Sequence, residues 1–293
     1  MRCINPITIV NKASLSDEKM EVPCGKCIEC RIHQRKEWSL RLLHEMAYHE
    51  RSVFLTLTYS DENLPDDLSI SKRHLQLFLK RLRKQSGRKG IKYFATGEYG
   101  ESTQRPHYHA IVFGVGLQEE DKQLVKDCWP LCDWTVKSIA KNSFGLVEPE
   151  SIDYVCRYID KKVNGEMEDI IYGQTGRCAP FRLVSNGLGF RYAMDNHTQI
   201  AELMYISRFG KKTSIPRYYL KKLEIDSEAL SNNAKYAEAE KIEKVTGINI
   251  SSKDLLSSLD SKNIDIYYKS LIKDRKSRLA DTTARTNLRK RKL

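Results

Sequence analysis

The sequence has no apolar run long enough to cross a membrane. Its longest apolar stretches, at 52–59 and 110–117, are far shorter than the roughly 20 residues that a spanning helix needs. No basic-then-apolar leader opens the chain. We therefore expect a protein that is neither embedded in a membrane nor secreted.

Cysteines are too sparse for a disulfide scaffold, with eight in 293 residues, but four of them fall within the first 30. Cys24, Cys27 and Cys30 have the spacing of a thiolate metal site, and Cys3 or His33 is available as a fourth ligand. Zn²⁺ is the natural structural metal for such a set. An iron–sulfur cluster uses similar spacing, although the usual final cysteine followed by proline is missing here. Unliganded packing is the third interpretation.

Acidic residues are absent between Leu68 and Gly97, where nine lysines and arginines occur. The chain as a whole carries a formal net charge of +12, and its last residues are also strongly basic. A basic surface predicts a polyanionic partner, and the charge alone fits either a nucleic acid or an anionic membrane. A solvated surface kept positive for solubility is the simpler alternative. The candidate contacts to a polyanion are Lys72, Arg73, Lys80, Arg81, Arg83, Lys84 and Arg105.

The apolar pattern alternates between strand and helix signals. The β-branched and aromatic stretch at 52–59 predicts a central strand, and 91–97 and 108–114 predict two more. The spacing of Leu75, Phe78, Leu79 and Leu82 predicts a helix that starts after Ser71 and is closed by Gly87. Further apolar stripes predict helices at 29–49 and after Ser151.

Two histidines stand at positions i and i+2 of a predicted strand. His107 and His109 should project from the same face, so they could share a divalent ion. A hairpin with the preceding strand would bring Glu98 beside them, and Glu101 is the competing carboxylate. An oxygen ligand makes the site suitable for Mg²⁺ or Mn²⁺. By itself, a His-x-His pair is more often a surface feature without a ligand.

Three polar groups share one stripe of the helix that follows Ser151. Tyr154, Tyr158 and Lys161 lie at i, i+4 and i+7, which places two phenols and an ammonium together. A phenol beside a polarised phosphodiester and a lysine can attack phosphorus and form a phosphotyrosyl bond. The alternative is that both tyrosines pack in the core.

These motifs, in this order, resemble motifs 1, 2 and 3 of the HUH endonucleases. The carriers are FLTLTY at 54–59, RPHYHAIVFG at 105–114 and YVCRYIDKK at 154–162. Together with CGKCIECR at 24–31 and IPRYYLKKLE at 215–224, they resemble the replication initiators of gokushovirus-type microviruses, which are small single-stranded DNA phages. The resemblance covers residues 1–224 approximately, and Cys156-Arg157 departs from the small residues usual between the tyrosines.

The resemblance implies an α+β protein with the HUH fold, whose central antiparallel five-stranded sheet is flanked by helices. It also implies metal ligands at His107, His109 and Glu98, nucleophiles of the two-tyrosine class at Tyr154 and Tyr158, and the family lysine at Lys161. The cofactor would be Mg²⁺ or Mn²⁺. We expect a Cys-containing segment and helix at 1–50, a nuclease core at 51–224 and a helical accessory region with a basic tail at 225–293.

The implied function is rolling-circle replication. The protein would nick single-stranded phage origin DNA and leave a 5′-phosphotyrosyl link and a free 3′-hydroxyl. A host helicase and DNA polymerase would be its partners in the bacterial cytoplasm, with no membrane involved. A non-enzymatic basic protein that binds or packages DNA is the alternative. A relaxase is less suitable, because relaxases place the tyrosine before the histidines and Tyr154 follows His107 by 47 positions.

Overall fold

The computed structural model describes residues 3–10, 19–161, 168–225, 236, 239–249 and 259–290, and no side chains at 160–161, 169 and 286–290. The chain divides into two compact units. One is Arg35–Asn196, and the other joins Met1–Gln34 to His197–Leu293. The predicted segments 1–50, 51–224 and 225–293 have other boundaries. The first boundary differs because one helix runs continuously through residue 34.

The regular elements alternate between strands and helices along most of the chain. In order they are β1 (Ile7–Val10), β2 (Lys19–Val22), α1 (Ile28–Met46), β3 (Ser52–Thr58), α2 (Lys72–Ser86), β4 (Lys92–Tyr99), β5 (Pro106–Phe113), α3 (Glu119–Cys128), α4 (Lys137–Asn142), β6 (Phe144–Gly145), α5 (Pro149–Cys156), α6 (Tyr158–Lys161), β7 (Phe181–Val184), α7 (Phe190–Asp195), α8 (His197–Leu203), β8 (Ile206–Arg208), β9 (Lys211–Thr213), α9 (Arg217–Lys222) and α10 (Ser261–Lys290).

The larger unit is built on a five-stranded antiparallel sheet with the order β6-β3-β5-β4-β7. β5 lies in the middle, as the sequence predicted for the strand that carries the histidines. β4 and β5 form a hairpin whose register pairs Glu98 with His107 and Thr96 with His109. On the other side of β5, Thr58 pairs with His107 and Thr56 with His109. The chain is therefore an α+β protein with helices on both faces of its sheet.

One face of the sheet is covered by the basic helix α2. Leu75, Phe78 and Leu82 of this helix are fully buried in a core that also contains Tyr108 and Val112 of β5. The helix begins where predicted, because the Ser71 side chain accepts a hydrogen bond from the backbone N–H of His74. Gly87 closes it with a φ of 61°, in the left-handed region that favours glycine.

The opposite face packs against α1 and α5. Leu42 of α1 and Val155 of α5 join Ile111 and Phe113 of β5 in a second core. Because side chains alternate along a strand, the histidines lie on this second face, at the end of β5 where the apolar residues give way to polar ones. The sheet therefore buries its middle and leaves a polar corner beside α5.

The smaller unit contains two hairpins and the long helix α10. β1 pairs with β2 and β8 pairs with β9, each as an isolated two-stranded ribbon. The sequence indicated a flexible basic tail, but α10 is one continuous helix to Lys290, and residues 291–293 lie outside the described residues. Among the described residues, no helix has both the length and the apolarity that crossing a bilayer demands.

Candidate active site

The two histidines of β5 lie side by side on the second face of the sheet. Their ring centroids are 4.9 Å apart, with the planes inclined at 76°. His109 is 6% exposed, whereas His107 is half-buried nearer the rim of the sheet. The predicted pair on one face is therefore present, with one member in the wall of the site and the other at its edge.

Each imidazole is oriented through its Nδ1 atom. Nδ1 of His107 lies 3.1 Å from the carbonyl oxygen of Arg105, which can only accept, so this nitrogen carries the proton of the neutral ring. Nδ1 of His109 lies 3.2 Å from the hydroxyl of Thr56. Such contacts leave Nε2 as the electron-pair donor, and they match the outer hydrogen bonds that orient metal-binding histidines. The donor set therefore fits a cation held through the two Nε2 atoms.

Of the two candidate carboxylates, Glu98 lies at the histidines. It is directly opposite His107 in the β4–β5 pair, and its Oε1 accepts a hydrogen bond of 3.0 Å from Thr96. Glu101 lies three residues further along, in the exposed turn between the two strands. The geometry thus places Glu98, and not Glu101, beside the imidazoles.

Tyr154 of α5 stands directly over His109. Its hydroxyl oxygen lies 3.4 Å from Nε2 of His109, and the two rings meet edge to face with centroids 5.1 Å apart. Phe54 of β3 contacts both rings. The side chain is 44% exposed, which is high for an aromatic ring held by three contacts. This phenol is therefore both fixed in position and open to an incoming ligand.

Tyr158 has a different environment from Tyr154. It is only 4% exposed, it belongs to the second core, and its hydroxyl donates to the carbonyl oxygen of Pro180. Burial raises the pKa of this phenol, and the neighbouring Glu98 carboxylate adds to the rise against the opposing effect of Arg182. The structure therefore separates two tyrosines that the sequence placed on one stripe.

The separation has a local cause in the backbone. The sequence predicted one helix capped by Ser151, but α5 begins at Pro149, and Glu148 and Ser151 form a reciprocal capping box. α5 then ends at Cys156, Arg157 is a turn, and α6 begins at Tyr158. Lys161 ends α6, and its side chain lies outside the described residues.

A contact that the sequence did not reveal fixes α5 against α1. The hydroxyl of Ser39, which is 1% exposed, donates to a carboxylate oxygen of Asp153, the residue before Tyr154. Thr56 was also missed. Its alternation with the buried Leu55 and Leu57 indicated the correct face, but nothing in the sequence indicated its position opposite His109.

The candidate DNA-binding residues lie mostly away from this corner. α2 packs on the face of the sheet opposite the histidines, so its exposed cations, Lys72, Arg73, Lys80, Arg83 and Lys84, belong to that side.

Three of the candidate arginines also bind within the chain. Arg81 donates to the carbonyl of Cys128, and Arg83 to the hydroxyl of Ser185. Arg105 donates to the carbonyl of Tyr59 and pairs with Asp61 at 2.7 Å. Of the seven cations, only Arg105 adjoins the histidine strand, because it directly precedes β5.

The predicted cysteine cluster is formed. Throughout the described part of the chain, Cys3, Cys24, Cys27 and Cys30 are the one set of three or more His, Cys, Asp or Glu residues whose ligand atoms all lie within 4.8 Å of one another. His33 is not part of this set. The histidines and Glu98 are neighbours but are not drawn together to that extent.

The chain is similar to phage replication proteins. The profile of the family described as replication-associated protein ORF2 matches residues 52–163. Replication-associated protein VP4 of Bdellovibrio phage phiMH2K is 29% identical over 252 residues, covering 75% of this chain and 76% of the relative. Replication-associated protein ORF2 of Spiroplasma virus 4 is 31% identical over 222 residues, with 69% and 68% covered. Replication-associated protein ORF4 of Chlamydia phage 1 is 28% identical, with 68% and 52% covered. No solved structure matches.

Proposed function

Because the chain belongs to the ORF2 family of replication-associated proteins, we propose that it initiates rolling-circle replication of a single-stranded DNA phage. In this proposal it has the HUH fold and acts as a site-specific endonuclease and ligase on origin DNA. Tyr154 is its first nucleophile. The observation that carries the proposal is the position of the exposed Tyr154 hydroxyl, 3.4 Å from Nε2 of His109.

The proposed reaction exchanges one phosphoester for another. The phenol oxygen of Tyr154 bonds to the scissile phosphorus, and the bond from phosphorus to the 3′-oxygen breaks. The phenol proton leaves to solvent, and the departing 3′-oxygen takes up a proton to become a hydroxyl. The 5′ end stays on the protein as a phosphotyrosyl ester, so the energy of the phosphodiester is kept for the later joining step.

The residues of β4 and β5 would hold the cofactor. The Nε2 atoms of His107 and His109 and the carboxylate of Glu98 form a donor set of two nitrogens and one oxygen, which suits Mg²⁺ or Mn²⁺. A divalent cation there would polarise the scissile phosphate and lower the barrier to attack. Thr56 and the Arg105 carbonyl keep the imidazoles in the orientation that ligation requires.

Tyr158 is the proposed second nucleophile, and it is held in reserve. Its hydroxyl must first release the Pro180 carbonyl and become accessible. While Tyr154 holds the first 5′ end, Tyr158 would cut the regenerated origin after one round of synthesis. The new 3′-hydroxyl would then attack the Tyr154 ester and release a closed circle. The buried position of Tyr158 supports an order in which Tyr154 cuts first.

The partners follow from the product of the first step. A free 3′-hydroxyl is a primer for a host DNA polymerase, and a duplex template would require a host helicase to displace the nicked strand. Both requirements place the reaction in the bacterial cytoplasm. Lys72, Arg73 and Lys80, on the other face of the sheet, would bind phosphates outside the reacting segment.

The test is a nicking reaction with the full-length protein, Mn²⁺ and a single-stranded oligonucleotide from the origin region of the same phage, labelled at its 3′ end. We expect a covalent protein–DNA adduct that survives denaturing electrophoresis, absent when a chelator replaces Mn²⁺. Tyr236→Phe, in a residue that is 61% exposed and remote in sequence, is the matched control. Retarded but uncleaved DNA would instead indicate the non-enzymatic binding protein.

A further inference from the structure

Four cysteine sulfurs meet at one place in the smaller unit. Sγ of Cys3 lies 3.6 Å from Sγ of Cys24 and 3.8 Å from Sγ of Cys27. Cys30 completes the set, with all four atoms within 4.8 Å of one another. Cys3 and Cys30 are buried, and Cys24 and Cys27 are half-buried. We propose that these cysteines bind one Zn²⁺ ion, in a structural site separate from the site of DNA cleavage.

The distances select a single ion over the alternatives. A disulfide requires a sulfur–sulfur bond of about 2.05 Å, so none of these pairs is bonded. A tetrahedral ion with metal–sulfur bonds of about 2.3 Å places its sulfurs about 3.8 Å apart, close to the two separations given above. A four-iron cluster needs a wider cage, because several iron and sulfide atoms lie between its cysteines. Four converging thiolates around one ion are typical of structural zinc.

The backbone around Cys24 is arranged to stabilise thiolate sulfur. The N–H groups of Lys26 and Cys27 point at Sγ of Cys24, at 3.4 and 3.3 Å. The N–H of Cys24 in turn points at Sγ of Cys3, at 3.3 Å. Gly25 makes this tight turn possible with a φ of 73°, a conformation that side chains disfavour. Apolar packing of cysteines would not require backbone donors directed at sulfur.

The position of the four cysteines gives the ion a structural role. Cys3 precedes β1 and Cys24 follows β2, so the ion would close the open end of the β1–β2 hairpin. This hairpin exposes Ile7, Ile9 and Met20, and an isolated two-stranded ribbon is marginal in water. Cys30 lies in the first turn of α1. The ion would therefore fix the hairpin to the start of α1, as metal sites do in small units with little core.

The test begins with metal analysis of full-length protein purified under reducing conditions without chelators. We expect about one equivalent of zinc per chain, and cobalt replacement should give the absorption bands of tetrahedral thiolate coordination. Cys27→Ser should lose the metal, whereas Cys178→Ser, which removes an exposed thiol outside the set, should keep it. Iron with acid-labile sulfide in the wild-type protein would overturn the zinc assignment.

Thiol alkylation keeps the proposal testable if Cys27→Ser does not fold. Cys24 and Cys27 are accessible enough to react, so only a bound ion would protect them. In the wild-type protein we expect mass spectrometry to find both unmodified until a zinc chelator is added, while Cys178 reacts at once. Rapid modification of Cys24 and Cys27 after incubation with Zn²⁺, together with a metal content near zero, would overturn the site. Neither outcome depends on DNA cleavage.

Discussion

The Tyr154 hydroxyl lies 3.4 Å from Nε2 of His109, although the two residues are 45 positions apart in the chain. Tyr158, only four positions further along, directs its hydroxyl to Pro180 in the loop before β7. One tyrosine is thus aligned with the histidines, and the other is engaged elsewhere. This asymmetry assigns different tasks to the two phenols, and it leads to the first prediction.

Tyr158→Phe should retain the first nick. The variant keeps the buried ring and loses only a hydroxyl that is bonded to Pro180, so the adduct with a short oligonucleotide should form within a few-fold of the wild-type rate. It should fail in repeated rounds on a circular template, because no second phenol can cut the regenerated origin. Quantifying adducts and closed circles in one reaction series checks both parts. Sustained multi-round replication by Tyr158→Phe would show that one nucleophile suffices.

His107→Ala should abolish cleavage and leave DNA binding largely unchanged. The imidazole is half-buried at the rim and oriented by the Arg105 carbonyl, so its loss removes one proposed metal ligand without opening the core. Binding rests on dispersed phosphate contacts and should change by less than about threefold. His197→Ala, at an exposed histidine of α8, is the control for a general loss of histidine. Near-wild-type nicking by His107→Ala would remove this residue from the active site.

Neutralising three exposed cations of α2 should weaken the salt dependence of binding without moving the nick. Lys72, Arg73 and Lys80 lie on the face of the sheet opposite the histidines, so they can contribute only phosphate contacts away from the cut. Each lost contact to single-stranded DNA should reduce the slope of log K against log salt by about 0.7, so the triple glutamine variant should lose about 2. A shifted cleavage position would mean that α2 takes part in choosing the site.

Glu45→Gln should destabilise the larger unit by about 3 kcal/mol near neutral pH, because it unbalances a buried ion pair. The carboxylate is 3% exposed and bonds to Lys92 at 2.8 Å and to the N–H of Gly189 at 2.7 Å. Burial alone would raise its pKa, but His49, Lys92 and Gly189 outweigh burial and hold the pKa below the usual 4.5. Denaturant unfolding measures the change, with the exposed Glu119→Gln as the control.

The same pair has a defined pH dependence. Since the pKa of Glu45 is lower in the folded state than in the unfolded state, its contribution is complete above the unfolded pKa of about 4.5 and is lost as pH falls through the folded value. The difference in unfolding free energy between wild type and Glu45→Gln should therefore narrow in acid. A difference that stays constant or widens below pH 4.5 would contradict the assignment.

Local patterns predicted much of the fold and half of the site. The strand of His107 and the neighbouring Glu98 could be placed because a short turn joins β4 to β5, so their hairpin register is local. Thr56 could not, because the β3–β5 register depends on the whole core over a separation of 53 residues. Helical spacing placed Tyr158 with Tyr154, but the turn at Arg157 is a tertiary effect.

The basic helix shows a similar limit. The apolar spacing of α2 correctly predicted which side of the helix is buried, with Leu75 and Leu82 inside. It carried no information on which face of the sheet the helix would cover. The cysteine spacing was more informative, since a Cys-x-x-Cys turn brings its sulfurs together locally. Even there, the choice of Cys3 over His33 as the fourth member depended on the folded chain.

The most direct test of the central claim identifies the residue that carries the DNA. The covalent adduct formed by the wild-type protein on a short origin oligonucleotide is digested with protease and nuclease, and the modified peptide is sequenced by mass spectrometry. We predict a nucleotide on Tyr154, and no adduct of any kind with Tyr154→Phe. A nucleotide on Tyr158 in the first turnover, or an undiminished adduct from Tyr154→Phe, would contradict the account.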